Sequence, residues 1–208
     1  MHPLLSVIIL AGGQSSRMGR DKSLIVVDGI PLLQRTCAIA LQCAPEVFVI
    51  TSATRDYSEI VPDRCCVIEE KLLPGEFKPQ GPLVGFAQGL AQSQAQSQTK
   101  WVLLLACDLP RLNQAVLQRW MRQISQVGDA IALLPKGKKG WEPLCGFYRT
   151  DCLSSLTQYR EQGGRSLQMW LAQALVQAIQ FSADSNINRQ EQAMLFNCNT
   201  PEDLLQVS

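Results

Sequence analysis

The chain is expected to fold as a single α/β domain with a mostly parallel sheet and helices on both faces. Short apolar runs rich in Val, Ile and Leu alternate with longer amphipathic segments along the 208 residues. Strands that alternate with helices in this way form doubly wound, mainly parallel sheets. Neither a linker nor an internal repeat interrupts the alternation, so we expect one domain over residues 1–208.

Each element follows from a local pattern. Continuous apolar runs are typical of strands buried on both faces, and they predict strands at residues 5–10, 47–50, 65–68, 101–106, 130–134, 141–148 and 176–181. Apolar residues at helical spacing predict helices at residues 32–41, 83–96, 113–127, 150–161 and 166–175. Thr200 as N-cap, followed by Pro201 and two acids, predicts the start of a last helix.

Two segments between these elements are rich in loop residues. Residues 73–85 hold three prolines and three glycines and are expected to form a long ordered loop of the kind that carries function. Residues 136–140, Lys-Gly-Lys-Lys-Gly, form a basic loop. Their charge fits either a solvated hairpin tip or a contact for an anionic second substrate.

Composition excludes several classes of protein. The net charge of +1 makes nucleic acid an unexpected partner. No apolar run is long enough to span a bilayer, and the first strand follows the N-terminus too closely for a secretory signal peptide. Most of the eight cysteines lie in apolar runs without metal-ligand spacing, so they are expected to be reduced thiols in a cytoplasmic protein.

The only histidine is His2. Its position beside the N-terminus argues against a histidine triad, a histidine-ligated metal and histidine acid–base catalysis. Carboxylates, Lys, Arg, backbone amides and a hard cation remain as catalytic resources.

A glycine-rich basic loop follows the first predicted strand. Gly12 and Gly13 allow a ligand to approach the backbone, and Arg17, Arg20 and Lys22 add positive charge. This combination suits a polyphosphate, although a basic surface turn would have the same composition. The spacing fits neither a P-loop, in which lysine directly follows glycine, nor the Gly-x-Gly-x-x-Gly dinucleotide fingerprint.

Asp108 follows the most apolar predicted strand, residues 101–106, which is expected to be central. In parallel sheets, ligands bind outside the carboxyl ends of the strands, so Asp108 should share one edge with Gly12 and Gly13. A carboxylate there could bind the Mg²⁺ that accompanies a nucleoside triphosphate. Because Pro110 follows two residues later, Asp108 could equally be an ordinary turn residue.

Residues 10–22, Leu-Ala-Gly-Gly-Gln-Ser-Ser-Arg-Met-Gly-Arg-Asp-Lys, resemble the signature loop of nucleotidyltransferases with a Rossmann-like fold. Within that group the chain is most similar to the molybdenum cofactor guanylyltransferases. Three further segments match the family: Gly-Pro-Leu-x-Gly at residues 81–85, Cys-Asp-x-Pro at 107–110 and Asn-x-Asn-Thr-Pro at 197–201. The resemblance implies a nucleotide-binding part at about residues 1–110 and a part at about 111–208 that completes the acceptor site.

The resemblance also implies roles for individual residues. Lys22, Arg17 and Asp108 match the family's catalytic positions, and Asp108 its metal ligand. The nucleotide-binding positions that match are Leu10, Ala11, Gly12, Gly13, Lys22, Thr51, Glu70, Gly81 and Asp108. Thr51 and Glu70 depart from the family's best-known pattern of asparagine and aspartate. Asn197 and Asn199, and more weakly Arg165, match the acceptor-binding region.

The reaction implied is transfer of GMP from GTP to the terminal phosphate of molybdenum-carrying molybdopterin, with Mg²⁺ as cofactor and pyrophosphate as second product. Transient contact with apo-molybdoenzymes or with proteins that supply the cofactor is implied as well. Two alternatives stay open: a cytidylyl- or sugar-phosphate nucleotidyltransferase of the same fold, and a non-catalytic nucleotide-binding module that delivers the cofactor. The presence of both Lys22 and Asp108 argues against the second, because binding alone would not require both.

Overall fold

The computed structural model describes residues 5–11, 21–52, 55–71, 81–137, 140–198 and 200–205. Within these ranges the strands are, in chain order, β1 (Leu5–Leu10), β2 (Val26–Val27), β3 (Ile30–Pro31), β4 (Glu46–Thr51), β5 (Cys65–Glu69), β6 (Trp101–Ala106), β7 (Ala132–Leu134), β8 (Lys136–Gly137), β9 (Gly140–Trp141), β10 (Cys145–Arg149) and β11 (Val176–Ala178).

The helices described are α1 (Leu32–Cys43), α2 (Pro82–Gln96), α3 (Gln114–Met121), α4 (Leu153–Glu161), α5 (Leu167–Leu171), α6 (Ser185–Met194) and α7 (Pro201–Leu205). Short 3₁₀ turns lie at Lys22–Leu24, Arg122–Gln126 and Thr150–Cys152. None of the described helices is long and apolar enough to cross a membrane.

Seven strands form one sheet in the order β11-β7-β10-β6-β1-β4-β5. β6 is its middle strand, as predicted for the most apolar run of the chain. β6, β1, β4 and β5 pair in parallel, and β11 pairs in parallel with β7. β10 is antiparallel to both β6 and β7. The prediction of an α/β fold with a mostly parallel sheet is therefore confirmed, with one antiparallel strand inserted.

Alternate side chains of the central strands pack against two helical layers, as the two-residue period of a strand dictates. Val7 and Ile9 of β1 lie in the cluster that contains α1, α3 and Met194 of α6. Ile8 lies in the cluster on the opposite face, with α2, α4 and α5. Both faces of the sheet are covered, which accounts for the continuous apolar runs in the sequence.

The predicted strand over residues 141–148 is wrong in its extent. β9 and β10 are separate strands, because Pro143 lies between them and cannot donate a backbone hydrogen bond to a sheet. β9 instead pairs with β8 in a hairpin of its own. Lys136 lies over the ring of Trp141 in this hairpin, 5.0 Å from the ring centre. Lys138 and Lys139 of the basic loop lie outside the described residues, so its two interpretations remain predictions.

Other differences concern weakly apolar segments. The hairpin of β2 and β3 was not predicted. The strand expected at residues 176–181 ends at Ala178, and the helix expected at 166–175 ends at Leu171. The loop expected at residues 73–85 gives way to α2 at Pro82, and its residues 73–80 lie outside the described residues.

α6 was missed because its sequence is mostly polar. It begins with Asp184, whose side chain accepts hydrogen bonds from the amides of Asn186 and Ile187. Its Glu191 is fully buried, and one carboxylate oxygen accepts a hydrogen bond from Trp120 Nε1 at 3.0 Å. The other accepts from the Ser182 amide at 2.7 Å. A buried carboxylate is tolerated here because both of its oxygens have donors.

Close packing of α2 on β1 depends on Gly89. A Cβ atom at Gly89 would lie 2.7 Å from Cγ2 of Ile8, which is fully buried. Cγ2 is attached directly to Cβ, so it cannot move away without a change of the stiff χ1 angle. A side chain at this position would push the helix away from the sheet.

We therefore expect Gly89→Ala to lower the free energy of unfolding by roughly 1–3 kcal/mol, because overpacking outweighs the helix propensity gained. Gly128→Ala is the matched control, since a Cβ atom there would meet no atom within 4 Å. It should leave stability unchanged or slightly raised. Urea unfolding of both variants measures the difference, and equal midpoints would contradict the packing argument.

Candidate active site

The carboxyl ends of the central strands meet at one edge of the sheet. Leu10, at the end of β1, is in register with Ala106 at the end of β6 and with Ile50 near the end of β4. The amide of Ala11 donates to the carbonyl of Ile50 at 2.9 Å, which extends the pairing one residue further. Leu10 and Ala11 thus lie at the same edge as the turn that carries Asp108.

Lys22 and Asp108 are in direct contact at this edge. Lys22 Nζ lies 3.1 Å from Asp108 Oδ2, and each side chain is slightly less than one-fifth exposed. The ammonium and the carboxylate neutralise one another in a partly buried position that solvent still reaches. The sequence predicted Asp108 at the same edge as Gly12 and Gly13 but did not predict its ion pair with Lys22.

A 3₁₀ turn over Lys22–Leu24 holds the lysine there. The side chain of Asp21 caps this turn by accepting from the Ser23 amide at 3.0 Å. The hydroxyl of Ser23 is fully buried between the Ala11 carbonyl and Cys107 Sγ, 3.4 Å from each. The turn is therefore fixed beneath the ends of both β1 and β6, and burial raises the pKa of the Cys107 thiol to about 12.

A second group of contacts converges on Asp21. Arg55 Nη1 lies 2.7 Å from Asp21 Oδ1, and the Tyr57 hydroxyl lies 2.7 Å from Asp21 Oδ2. The same hydroxyl is 3.2 Å from the Ala11 carbonyl oxygen and 3.2 Å from Arg55 Nη1. These contacts join the end of β1 to the residue that precedes Lys22.

Thr51 and Glu70 lie next to each other at the ends of β4 and β5. The amide of Glu70 donates to the Thr51 carbonyl at 2.6 Å, and both residues are buried. A Cβ atom at Gly85, in the first turn of α2, would lie 3.5 Å from Glu70 Oε2. The carboxylate is thus close to a helix N-terminus, where backbone N–H groups favour negative charge.

Gly81 precedes α2 with φ of 88° and ψ of −173°. This backbone conformation is open almost only to glycine. Gly81 therefore sets the direction in which the chain enters α2, beside Glu70.

The segment around Asn197 is attached to the Asp108 turn. The Cys198 amide donates to the Asp108 carbonyl at 2.9 Å, and Arg111 lies over the ring of Phe196 at 5.3 Å from its centre. Asn197 is consequently held beside Asp108, and its side-chain amide lies 3.5 Å from the Leu195 carbonyl. Thr200 and Asp203 exchange backbone and side-chain hydrogen bonds, which confirms the predicted N-cap of the last helix.

Arg165 lies on the exposed turn between α4 and α5. The side chain of Gln168, in α5, donates to the Trp141 carbonyl, so this turn lies near the β8–β9 hairpin. None of the contacts that the structure describes joins Arg165 to Asp108. Gly12, Gly13, Arg17, Arg20 and Asn199 lie outside the described residues.

Asp108 offers an oxygen ligand of the type that Mg²⁺ prefers. Across the described residues, no cluster of three or more His, Cys, Asp or Glu side chains could hold a metal ion. A single carboxylate fits a cation that completes its coordination with phosphate oxygens and water.

Sequence reasoning missed Ser23, Arg55 and Tyr57. Tyr57 lies in a polar segment without regular structure, yet its ring is only 3% exposed. The isolated aromatic residue, with Val61 four positions later, was a usable signal of an inward-facing loop. The hydrogen bond between Cys198 and Asp108 joins backbone atoms, so the side chains in the sequence carry no signal for this contact.

Comparison with known proteins finds relatives that match most of the chain. Residues 7–178 match the family model described as MobA-like NTP transferase domain. A probable molybdenum cofactor guanylyltransferase of Nostoc sp. is 50% identical over 201 residues, which cover 96% of this chain and 88% of that protein.

Two solved structures share the fold. Molybdopterin-guanine dinucleotide biosynthesis protein A from Archaeoglobus fulgidus superimposes with a TM-score of 0.74 at 20% identity, over 97% of this chain and 96% of that one. The 2-C-methyl-D-erythritol 4-phosphate cytidylyltransferase from Thermus thermophilus gives a TM-score of 0.66 at 18% identity, over 97% and 96% of the two chains. At these identities the two structures show the fold alone, and the family follows from the sequence match: this chain belongs to the MobA-like nucleotidyltransferases, among the molybdenum cofactor guanylyltransferases.

Proposed function

We propose that this enzyme transfers GMP from GTP to the terminal phosphate of molybdenum-carrying molybdopterin. A phosphate oxygen of the acceptor attacks the α-phosphorus of GTP and forms a new P–O bond. The bond from the α-phosphorus to the bridging oxygen breaks, and pyrophosphate leaves with that electron pair. The products are the guanine dinucleotide form of the cofactor and pyrophosphate.

The attacking oxygen is already anionic, so the reaction needs no general base. This agrees with a chain whose single histidine is His2. The protein's contribution is alignment of the two substrates and stabilisation of charge on the leaving group.

The observation that carries the proposal is the distribution of polar groups along one sheet edge. Lys22 and Asp108 lie in contact beyond the end of β6, whereas Thr51 and Glu70 lie at the ends of β4 and β5. With neighbouring strands ~4.8 Å apart, the ends of β6 and β5 are about 14 Å apart. This span suits a nucleotide with its phosphates at the first pair and its base at the second.

Asp108 is the residue that would hold Mg²⁺ in this proposal. When bound with the nucleotide, the metal supplies charge neutralisation at the phosphates. Lys22 would bind the phosphates in the same subsite, to which Arg17, Gly12 and Gly13 belong by their positions in the matched loop.

The ion pair between Lys22 and Asp108 supports cooperative binding of the metal ion and the nucleotide. Each residue neutralises the other, so a cation alone meets a carboxylate that already has a positive partner. A nucleotide offers Lys22 phosphate oxygens in place of the Asp108 carboxylate. Binding of a metal and a triphosphate together therefore restores a partner to both residues.

Acceptor binding is proposed at Asn197 and Asn199, with Arg165 as a further contact. The hydrogen bond from Cys198 to Asp108 supports this assignment, because it holds Asn197 beside the site of phosphoryl transfer. We place the reaction in the cytoplasm, which is consistent with eight free cysteines. Transient contact with proteins that supply or receive the cofactor belongs to the same proposal.

Replacement of Lys22 tests the phosphate subsite. Lys22→Ala should lower kcat by ~10²-fold or more, the scale for loss of a group that stabilises developing charge. Stability should change little, because a partly exposed ion pair contributes about 0–1 kcal/mol.

Pyrophosphate release measures the rate, and titration with Mn²⁺ in the absence of nucleotide should show that the variant binds Mn²⁺ more tightly than the wild type. Lys100→Ala, before the opposite end of β6, is the control. Wild-type kinetics in Lys22→Ala would remove Lys22 from the site.

Replacement of Asp108 tests the metal ligand. Asp108→Asn keeps the shape of the side chain and removes its charge, so the variant should fold and lose nearly all Mg²⁺-dependent transfer. Asp28→Asn is a matched control, because Asp28 also pairs with a cation, Arg35, but on the exposed hairpin. Thermal unfolding and pyrophosphate release on the same preparations separate the two effects. A folded Asp108→Asn enzyme with wild-type turnover would show that Asp108 is only a turn residue.

Base selection tests the other end of the site. We expect a higher kcat/KM for GTP than for CTP or ATP, because a carboxylate at Glu70 accepts from the N1–H and N2–H₂ donors of guanine. Glu70→Gln should reduce this preference by about 10- to 100-fold, the range for a hydrogen bond to a charged group. Glu69→Gln, which changes the exposed neighbouring residue, should leave this preference unchanged.

Equal kcat/KM for GTP and CTP in the wild type would favour cytidylyl transfer. An unchanged preference in Glu70→Gln would move base recognition to the loop backbone.

A further inference from the structure

The Tyr57 hydroxyl connects the two described residues that flank residues 12–20. It lies 2.7 Å from Asp21 Oδ2 and 3.2 Å from the Ala11 carbonyl oxygen, and Tyr57 as a whole is 3% exposed. We propose that Tyr57, together with Arg55, is a positioning residue that fixes Asp21 and thereby places Lys22 for nucleotidyl transfer. This inference rests on the proposed function.

The donors and acceptors of this group have a consistent direction. The hydroxyl has one proton, and Asp21 Oδ2 is the nearer acceptor. Arg55 Nη1 in turn donates to the Tyr57 oxygen at 3.2 Å. Burial is the main cause that raises the pKa of Tyr57, so the hydroxyl keeps its proton at neutral pH. The tyrosine therefore acts as a neutral donor to a carboxylate.

Arg55 strengthens the arrangement by charge. Its guanidinium pairs with Asp21 Oδ1 at 2.7 Å, with three-quarters of the side chain buried. Burial acts to lower the pKa of Arg55, but the hydrogen bond to Tyr57 and the charge of Asp21 outweigh this and raise it. Arg55 thus contacts one carboxylate oxygen of Asp21, and Tyr57 contacts the other.

The contact reaches Lys22 through the backbone. Asp21 caps the 3₁₀ turn that begins at Lys22, by accepting from the Ser23 amide. If Tyr57 no longer donates to Asp21, that cap can rotate and the turn loses one of its constraints. Misplacement of a catalytic group by ~1 Å can cost about 10²-fold in rate.

Tyr57→Phe tests this inference, because it keeps the buried ring and removes only the hydroxyl. We expect kcat to fall by about tenfold, within the range for such misplacement, with the GTP:CTP preference unchanged. Tyr148→Phe is the matched control. Its hydroxyl donates to the backbone carbonyl of Pro143 at 2.7 Å, and its ring lies in the core cluster on the other face of the sheet. Both variants should lose stability, but Tyr148→Phe should keep wild-type kcat.

A double-mutant cycle separates positioning from general destabilisation. If Tyr57 acts through Lys22, Tyr57→Phe should cause no further loss of kcat in a Lys22→Ala background. Asp21→Asn, which keeps the cap and weakens the contacts to Arg55 and Tyr57, should lower kcat in the same direction. Unchanged kcat in Tyr57→Phe, or full additivity with Lys22→Ala, would overturn the inference.

The affinity of the wild type and of both tyrosine variants for a fluorescent GTP analogue provides a test that does not depend on the proposed reaction. Absence of pyrophosphate release in the wild-type protein would count against guanylyl transfer itself. Even then, weaker analogue binding by Tyr57→Phe than by Tyr148→Phe would support the positioning role. In that case, equal affinities of these two variants and the wild type would overturn it.

Discussion

Parallel pairing of β1 with β6 on one side and β4 on the other is the constraint on which the candidate site depends. The register matches Leu10 with both Ala106 and Ile50. Residues that follow these strands therefore emerge at one edge, although they are far apart in sequence. A shift of one residue would turn every buried side chain of β1 to the other face of the sheet. The packing of the core thus protects the geometry of the site.

The polar groups at this edge are arranged in two layers. Lys22 and Asp108 remain partly accessible, whereas Ser23 and Tyr57 lie beneath them and are buried. The outer groups can exchange their mutual contact for substrate, because solvent already reaches them. The inner groups hold the backbone, and their hydrogen bonds are shielded from competing water. Binding and rigidity are in this way assigned to different residues.

Much of this arrangement was predictable from the sequence. The strands at residues 5–10 and 101–106 are strongly apolar, and the polar groups after them could be placed by the rule for parallel sheets. α6 and the β2–β3 hairpin were not predicted, because they are short or mostly polar and depend on tertiary contacts. The hydrogen bond from Tyr57 to Asp21 was not predicted for a related reason. It joins a loop to a turn, and neither has a periodic pattern from which a meeting point could be derived.

The hydrogen bond from the Cys198 amide to the Asp108 carbonyl also has a consequence for biosynthesis. A ribosome releases β1, β4 and β6 early, and parallel strands can begin to pair as the chain emerges. The segment around Cys198 follows later in the chain, after β7, β10 and β11. A nascent chain can therefore bury most of its sheet while the turn at Asp108 still lacks this contact. Asp108 therefore acquires this backbone contact only after all seven strands of the sheet have been synthesised.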